Sequence, residues 1–329
     1  MCRTAVFFGE ALARYGFGSS HPLGQDRIYA FWSKFDQEKL NRFEQIIVVE
    51  PASIDEQTIL AFHEKEYVEL VKQASKYGNV LLDRGDTPAF KGVFEASAYV
   101  VGSTLKAVEL VMDKRDKQGR MVEHAFNPIG GLHHARRDTA GGFCVFNDIG
   151  IAIHMIRKKY GIERIAYVDI DAHHGDGVYY EFESDPSLFF ADIHEDGRYL
   201  YPGTGSASES GCGEAQGTKL NIPMEPGSTD GDFIRAFDRI QRFIDDTAKP
   251  EFIILQCGAD GLNGDPITHL QYTPRVHRYA ADVLHRLAHK HCRGRIIALG
   301  GGGYNRKNIG DAWVEVVKSF ASTSHQLQS

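Results

Sequence analysis

The chain has 329 residues, 42% hydrophobic and 25% charged, a balance that can build a packed core and excludes disordered, collagen-like and low-complexity scaffolds. Lys plus Arg number 37 against 44 for Asp plus Glu, a net charge of −7, which argues against a dedicated nucleic-acid partner. The five cysteines, Cys2, Cys144, Cys212, Cys257 and Cys292, are odd in number, scattered and never in a C-x-x-C pair. That disfavours a disulfide framework or a thiolate zinc site and points to a reducing, cytoplasmic setting.

The first apolar stretch, Ala5-Val6-Phe7-Phe8, is too short for a signal-peptide core. No run approaches the roughly 18 apolar residues of a membrane span, so the chain reads as soluble, unexported and without a membrane partner. In chain order, strand-like runs cover Thr4 to Phe8 and Ile46 to Val49, followed by a helical pattern over Val93 to Asp113. A strand-like segment from Ala125 to Ile129 precedes a helix over Ile149 to Lys159, and strands follow at Arg164 to Asp169 and Ser187 to Ile193. A helix over Asp232 to Thr247, a strand over Phe252 to Cys257, a helix over Thr273 to His291 and a strand over Arg295 to Leu299 complete the pattern. This alternation predicts an α/β fold of three layers, a mostly parallel central sheet with helices on both faces. The unbroken run Phe252-Ile253-Ile254-Leu255 fits a strand covered on both sides. No Pro-, Gly- or Ser-rich linker and no fixed-period repeat divides the chain, which predicts one domain over 1–329.

Ligands of such sheets bind beyond the carboxyl ends of the strands, and four segments deliver polar groups there. His133 and His134 follow Ala125 to Ile129, Asp171 and His173 follow Ile165 to Ile170, Asp260 follows Phe252 to Cys257, and Tyr304 follows Ile296 to Leu299. In Tyr167 to Asp176, strand alternation sends Asp169, Asp171 and His173 to one side and Val168, Ile170 and Ala172 to the other. Buried polar groups facing one another carry a heavy desolvation cost unless paired or bound to a cation. A satisfied Asp–His pair answers this as a metal does, and Asp260 is either a third ligand or a helix N-cap. Two Asp and one His leave the fourth position of a tetrahedral zinc open, the arrangement of a catalytic centre. Oxygen-rich ligation equally admits iron(II) or manganese.

Gly130-Gly131-Leu132-His133-His134 sets paired imidazoles after glycines that permit a tight turn. One can act as general base and the other can carry a proton to the leaving group, the alternatives being further metal ligands or a structural role. The run Gly300 to Gly303 lacks the lysine of a phosphate loop. At a strand end it would let Tyr304 turn inward and donate a hydrogen bond to a developing oxyanion. These groups together predict amide or acyl hydrolysis.

The residues resemble the zinc-dependent histone deacetylase family within the arginase–deacetylase fold, from about Val6 to Trp313. The marks are Gly130 to His134, Gly142 to Asp148, Asp169 to Gly177, Tyr201 to Gly205, Gly258-Ala259-Asp260 and Gly300 to Tyr304. His21 to Arg27, Asp86-Thr87-Pro88, Gly197 to Tyr201 and Asp265 to Leu270 are similar to the bacterial acetoin-utilization branch, associated with deacetylating protein lysines, including that of acetyl-CoA synthetase. The resemblance implies zinc on Asp171, His173 and Asp260, tandem histidines His133 and His134 supported by Asp169 and Asp176, and Tyr304 as the carbonyl-polarising residue. It implies Phe143 and Tyr201 as walls of an acetyl-lysine tunnel, Asp86 as a rim carboxylate for the substrate backbone, and Arg27 as the arginine of an inner acetate-release cavity. It also implies a structural monovalent cation, usually potassium, held partly by Asp169, Asp171 and the backbone of His173. Asp192 stands where many members have a serine ligand to that ion. Polyamine-selective relatives carry a rim glutamate at the position matched here by Ile267. Two rivals are a two-manganese ureohydrolase, whose D-x-H-x-D motif fails at Gly175, and a silent acetyl-lysine binding module, which would be expected to lose a ligand or Tyr304.

Overall fold

The computed structural model describes residues 3–18, 21–78, 80–83 and 85–322. Its strands are β1 (Thr4–Phe7), β2 (Ile46–Val49), β3 (His124–Asn127), β4 (Ile165–Asp169), β5 (Leu188–Glu195), β6 (Lys219–Met224), β7 (Phe252–Gln256) and β8 (Ile296–Leu299). They form one sheet in the order β2-β1-β3-β8-β7-β4-β5-β6. Every pairing is parallel, so the expected mostly parallel sheet is wholly parallel among the described strands.

Alternate residues of each inner strand enter cores on opposite faces. Ile165, Tyr167, Phe190 and Ile254 pack with the helix Val93–Asp113 on one side. Ala166, Val168, Ala191, Ile253 and Leu255 pack with the helices Arg275–His291 and Arg306–Ala321 on the other. Burial on both faces is why these strands read as continuous apolar runs. Gly102 lets the helix Val93–Asp113 approach the chain near Ala52, since a Cβ there would lie 2.2 Å from the Ala52 carbonyl oxygen.

The helix over Val93–Asp113 matches its predicted span. The one predicted over Asp232 to Thr247 is α-helical over Asp230–Arg242, opened by a Thr229–Asp232 capping box, and then widens into a π-helical turn over Phe243–Ala248. Strand β6 and the helices Arg27–Gln37, Lys65–Tyr77 and Arg306–Ala321 lie outside the predicted elements. Among the described strands β6 pairs only with β5, and it carries Pro223, which an edge strand tolerates but which weakens a strand signal.

Cys144, Cys212, Cys257 and Cys292 are free thiols, while Cys2 lies outside the described residues. No helix among the described residues is long and apolar enough to cross a membrane.

Candidate active site

β4 ends at Asp169, yet the alternation of its side chains continues past the strand. Ile170 and Ala172 enter one core, while Asp171 and His173 turn to the other side, where Asp260 meets them from the end of β7. The Nδ1 of His173 lies 3.0 Å from Asp171 Oδ1 and 3.1 Å from Asp260 Oδ2. The remaining oxygens are tied outward. Asp171 Oδ2 accepts from Gln256 Nε2 and from the Gly302 N–H, both at 2.8 Å. Asp260 Oδ1 accepts the Ala172 N–H at 2.8 Å, which turns its other oxygen into the cluster. No helix follows directly on Asp260, so the N-cap alternative fails.

Burial pushes the Asp260 carboxyl up to about 7, with the Asp171 charge adding to it. His173 is raised well above the ordinary imidazole value because the Asp171 and Asp260 carboxylates outweigh its burial. Two buried carboxylates with one imidazole carry surplus negative charge that a divalent cation would offset. The donor set therefore fits a metal ion. Close packing explains two glycines here. A Cβ on Gly258 would stand 2.0 Å from Asp171 Oδ2, and one on Gly302 would stand 2.2 Å from Asp260 Oδ2.

The tandem histidines lie beside the cluster, with ring centroids 4.1 Å apart. His133 Nδ1 is 2.8 Å from Asp169 Oδ2, and His134 Nδ1 is 2.7 Å from Asp176 Oδ1. Where the carboxylate accepts, Nδ1 carries the proton and each Nε2 is left with a lone pair. His133 Nε2 lies 3.9 Å from Asp171 Oδ1. The two dyads differ in backing. Asp176 also pairs with Arg136 at 2.8 Å, and its carboxyl is lowered because the His134 and Arg136 contacts outweigh burial. Asp169 instead receives the Tyr167 hydroxyl and is raised well above its ordinary value by burial and by Asp192 and Asp171. Burial and the neighbouring His133 bring His134 down to about 4, against the pull of Asp176. Asp148 fixes the turn before the pair, accepting the Gly131 N–H at 3.0 Å and the Leu132 N–H at 2.8 Å.

Tyr304 follows the glycine run and packs edge-on against Phe143, with centroids 5.9 Å apart. Burial, then Asp260 and Asp171, raise its hydroxyl well above the ordinary phenol value, so it stays protonated and able to donate. Tyr201 stands on the other side, 5.1 Å from the His134 ring and 6.5 Å from the His173 ring. Phe143 adopts a left-handed backbone (φ 68°), held by Tyr15 donating to its carbonyl at 2.8 Å and by its own N–H donating to Thr87 at 3.0 Å. Asp86 is exposed, and partial burial together with Asp83 raises its carboxyl. Ile267 is half-buried, its N–H donating to Asp265 Oδ1 at 3.0 Å. Arg27 is buried behind the glycine run, donating to the carbonyls of Gly303 at 2.9 Å and Gly301 at 2.5 Å and lying over the Trp313 ring.

Several residues of this site escaped sequence reasoning. Gln256 lies in register with Asp169 and bridges toward Asp171, and its signal was a polar side chain in an otherwise apolar buried strand. Asp265 anchors Tyr304 through its backbone N–H at 2.8 Å. Asp192, noted only as a departure, accepts from the Gly175 N–H at 2.9 Å and pairs with His194 Nδ1 at 2.8 Å. His194 Nε2 faces the Gly205 carbonyl at 2.9 Å. Both ring nitrogens thus face acceptors, the arrangement of an imidazolium. At Gly175, where a two-metal centre needs a carboxylate, a Cβ would already stand 2.7 Å from Asp169 Oδ2.

A family profile described as the histone deacetylase domain matches residues 21–320. Acetoin utilization protein AcuC of Bacillus subtilis (strain 168) is 37% identical over 328 residues, covering 97% of this chain and 81% of that protein. A protein named probable deacetylase from Archaeoglobus fulgidus is 33% identical over 308 residues, covering 92% of this chain and 81% of that one. Among solved structures, the HDA15 HD domain superimposes with a TM-score of 0.87 at 26% identity, covering 98% of this chain and 89% of the other.

Proposed function

The chain belongs to the histone deacetylase family, and from that premise we propose that it hydrolyses N-ε-acetyl-lysine in proteins or peptides with zinc on Asp171, His173 and Asp260. Family membership makes it a metal-dependent hydrolytic deacetylase. The finer reading is carried by one observation: three buried ligand groups face one another beside two carboxylate-backed imidazoles.

When bound, the ion supplies Lewis-acid polarisation of the amide carbonyl and acidifies water. The Nε2 of His133 accepts the proton of the attacking water, and that same proton then passes, from His133 or through the adjacent His134, to the leaving amine. Asp169 and Asp176 hold the two rings in the tautomer this requires. The Tyr304 hydroxyl donates to the oxyanion as it forms. Water adds across the C–N bond, leaving acetate and the free lysine amine. Phe143 and Tyr201 flank the lysine stem, Asp86 accepts a backbone N–H of the substrate, and Arg27 lies on the inner side where acetate would leave. Iron(II) fits the same donors in the cell. For the monovalent ion of the family, His194 already sets a positive charge against Asp192, so the reading rests on one divalent ion.

We take residues 1–329 as one catalytic domain acting in the reducing cytoplasm on acetylated proteins, acetyl-CoA synthetase among them, without a nucleic-acid or membrane partner. The test pairs metal analysis with turnover of a fluorogenic acetyl-lysine peptide by wild type, Asp171→Ala and His173→Ala. Wild type turns over and both variants lose activity together with one bound metal equivalent. Turnover retained in either variant, or two metals both needed for activity, sinks the assignment. A metal-loaded protein that binds the acetylated peptide without cleaving it is a binding module instead.

A further inference from the structure

At the opposite end of the strands from the acetyl-lysine site, three imidazoles meet. His124 opens β3, and His285 and His289 lie one turn apart on the helix Arg275–His291, the i,i+4 spacing that puts two side chains on one helix face. Their Nε2 atoms converge. His124 Nε2 lies 3.0 Å from His285 Nε2, and His289 Nε2 lies 3.1 Å from it. His124 and His285 are buried and His289 is partly exposed.

We propose that His124, His285 and His289 form a second metal site, binding one divalent transition ion of the zinc class through their Nε2 atoms.

His285 Nδ1 faces the Ser319 carbonyl at 3.0 Å. A carbonyl only accepts, so the ring proton of neutral His285 sits on Nδ1 and its Nε2 carries a bare lone pair aimed at the other two rings. This outward hydrogen bond from the distal ring nitrogen is how metal-ligating histidines are oriented. Without an ion, one lone pair faces two neighbouring nitrogens. The rings have little freedom to turn away. Phe320 packs 5.4 Å from His124 and 6.0 Å from His285, and a Cβ on Gly294 would stand 3.1 Å from the His289 ring. Burial lowers the pKa of all three imidazoles, His285 to about 4, so they are neutral donors at neutral pH. The negative charge of Glu123 acts on His285 and His289, against the positive charges of Lys114 and Arg286. Three neutral imidazoles leave a fourth position for water, and nitrogen donors select zinc, nickel or copper over magnesium and calcium. The site shares no residue with the acetyl-lysine machinery, so it acts on stability and not on turnover.

The test titrates Zn2+ by calorimetry into wild type and His289→Ala already carrying the activity-linked ion, and into Asp171→Ala, which lacks the ligand for that ion. Wild type is expected to take up one further equivalent and gain thermal midpoint. His289→Ala loses that equivalent and the midpoint gain but keeps wild-type kcat, while Asp171→Ala retains the equivalent without activity. If His289→Ala does not fold, histidine-selective NMR of wild type serves, the resonances of His124, His285 and His289 moving together on Zn2+ addition. No uptake beyond the activity-linked ion, a second equivalent that survives in folded His289→Ala, or unmoved resonances overturns the proposal.

Discussion

Asp265 Oδ2 accepts the backbone N–H of Tyr304 at 2.8 Å, so a carboxylate 39 positions earlier holds the end of the glycine run. The same oxygen faces the Asn305 N–H at 3.3 Å and Oδ1 takes the Ile267 N–H at 3.0 Å, joining Tyr304 to the segment of Ile267. Asp265→Ala leaves these part-buried donors without their acceptor; a fully buried orphaned donor costs about 1–3 kcal/mol, and water can reach these in part. The expected outcome is about 2 kcal/mol lower stability by denaturant titration, with kcat falling more than KM changes. Asp265→Asn, which keeps one acceptor oxygen, should recover part of both losses. Wild-type kcat and stability in Asp265→Ala would show that the anchor is idle.

Tyr304→Phe deletes a single donor and keeps the ring that packs on Phe143. Fold and metal content should be retained while the rate on an acetyl-lysine peptide falls on the order of 10²–10³-fold, as for other lost oxyanion donors. Near-normal kcat would remove Tyr304 from the chemistry.

The pair His194–Asp192 predicts a pH signature in stability. Asp192 outweighs burial and raises His194 above its ordinary value of 6.5. A group raised on folding contributes stability that is fully present below its unfolded pKa and lost as pH rises through the folded one. Stability should therefore decline from pH 6.5 through the raised His194 value, and Asp192→Asn should flatten that decline. Denaturation midpoints across this window decide it; equal slopes in both proteins would mean that His194 is neutral when folded.

Substrate choice follows from the rim. Ile267 is half-buried and uncharged, so it offers no partner to the distal ammonium of an acetylpolyamine, which would lose solvation on entry. Asp86, the other proposed rim residue, can pair with either a backbone N–H or an amine, so the preference for acetyl-lysine peptide should be moderate. Side-by-side kcat/KM values for that peptide, N-acetylputrescine and N-acetylcadaverine test this in wild type and Ile267→Glu. A wild type that prefers the polyamines, or a glutamate variant that does not move toward them, contradicts this account.

The sequence alone determined what depends on local spacing. Alternation along Tyr167 to His173 carried Asp171 and His173 to one side, and apolar runs buried on both faces announced the inner strands, because strand geometry and two-sided burial act on consecutive residues. The edge strand with Pro223 and the short charged helices were obscure, since their apolar residues are diluted by the polar ones that face solvent. Contacts between distant segments were decided only by the tertiary structure. Gln256 reaching Asp171, Asp265 holding Tyr304, the Gly175 N–H donating to Asp192, and His124 meeting His285 and His289 all bring together residues from different segments. A buried polar atom finds its partner by proximity in space, and which segments become neighbours is set by sheet order and helix packing.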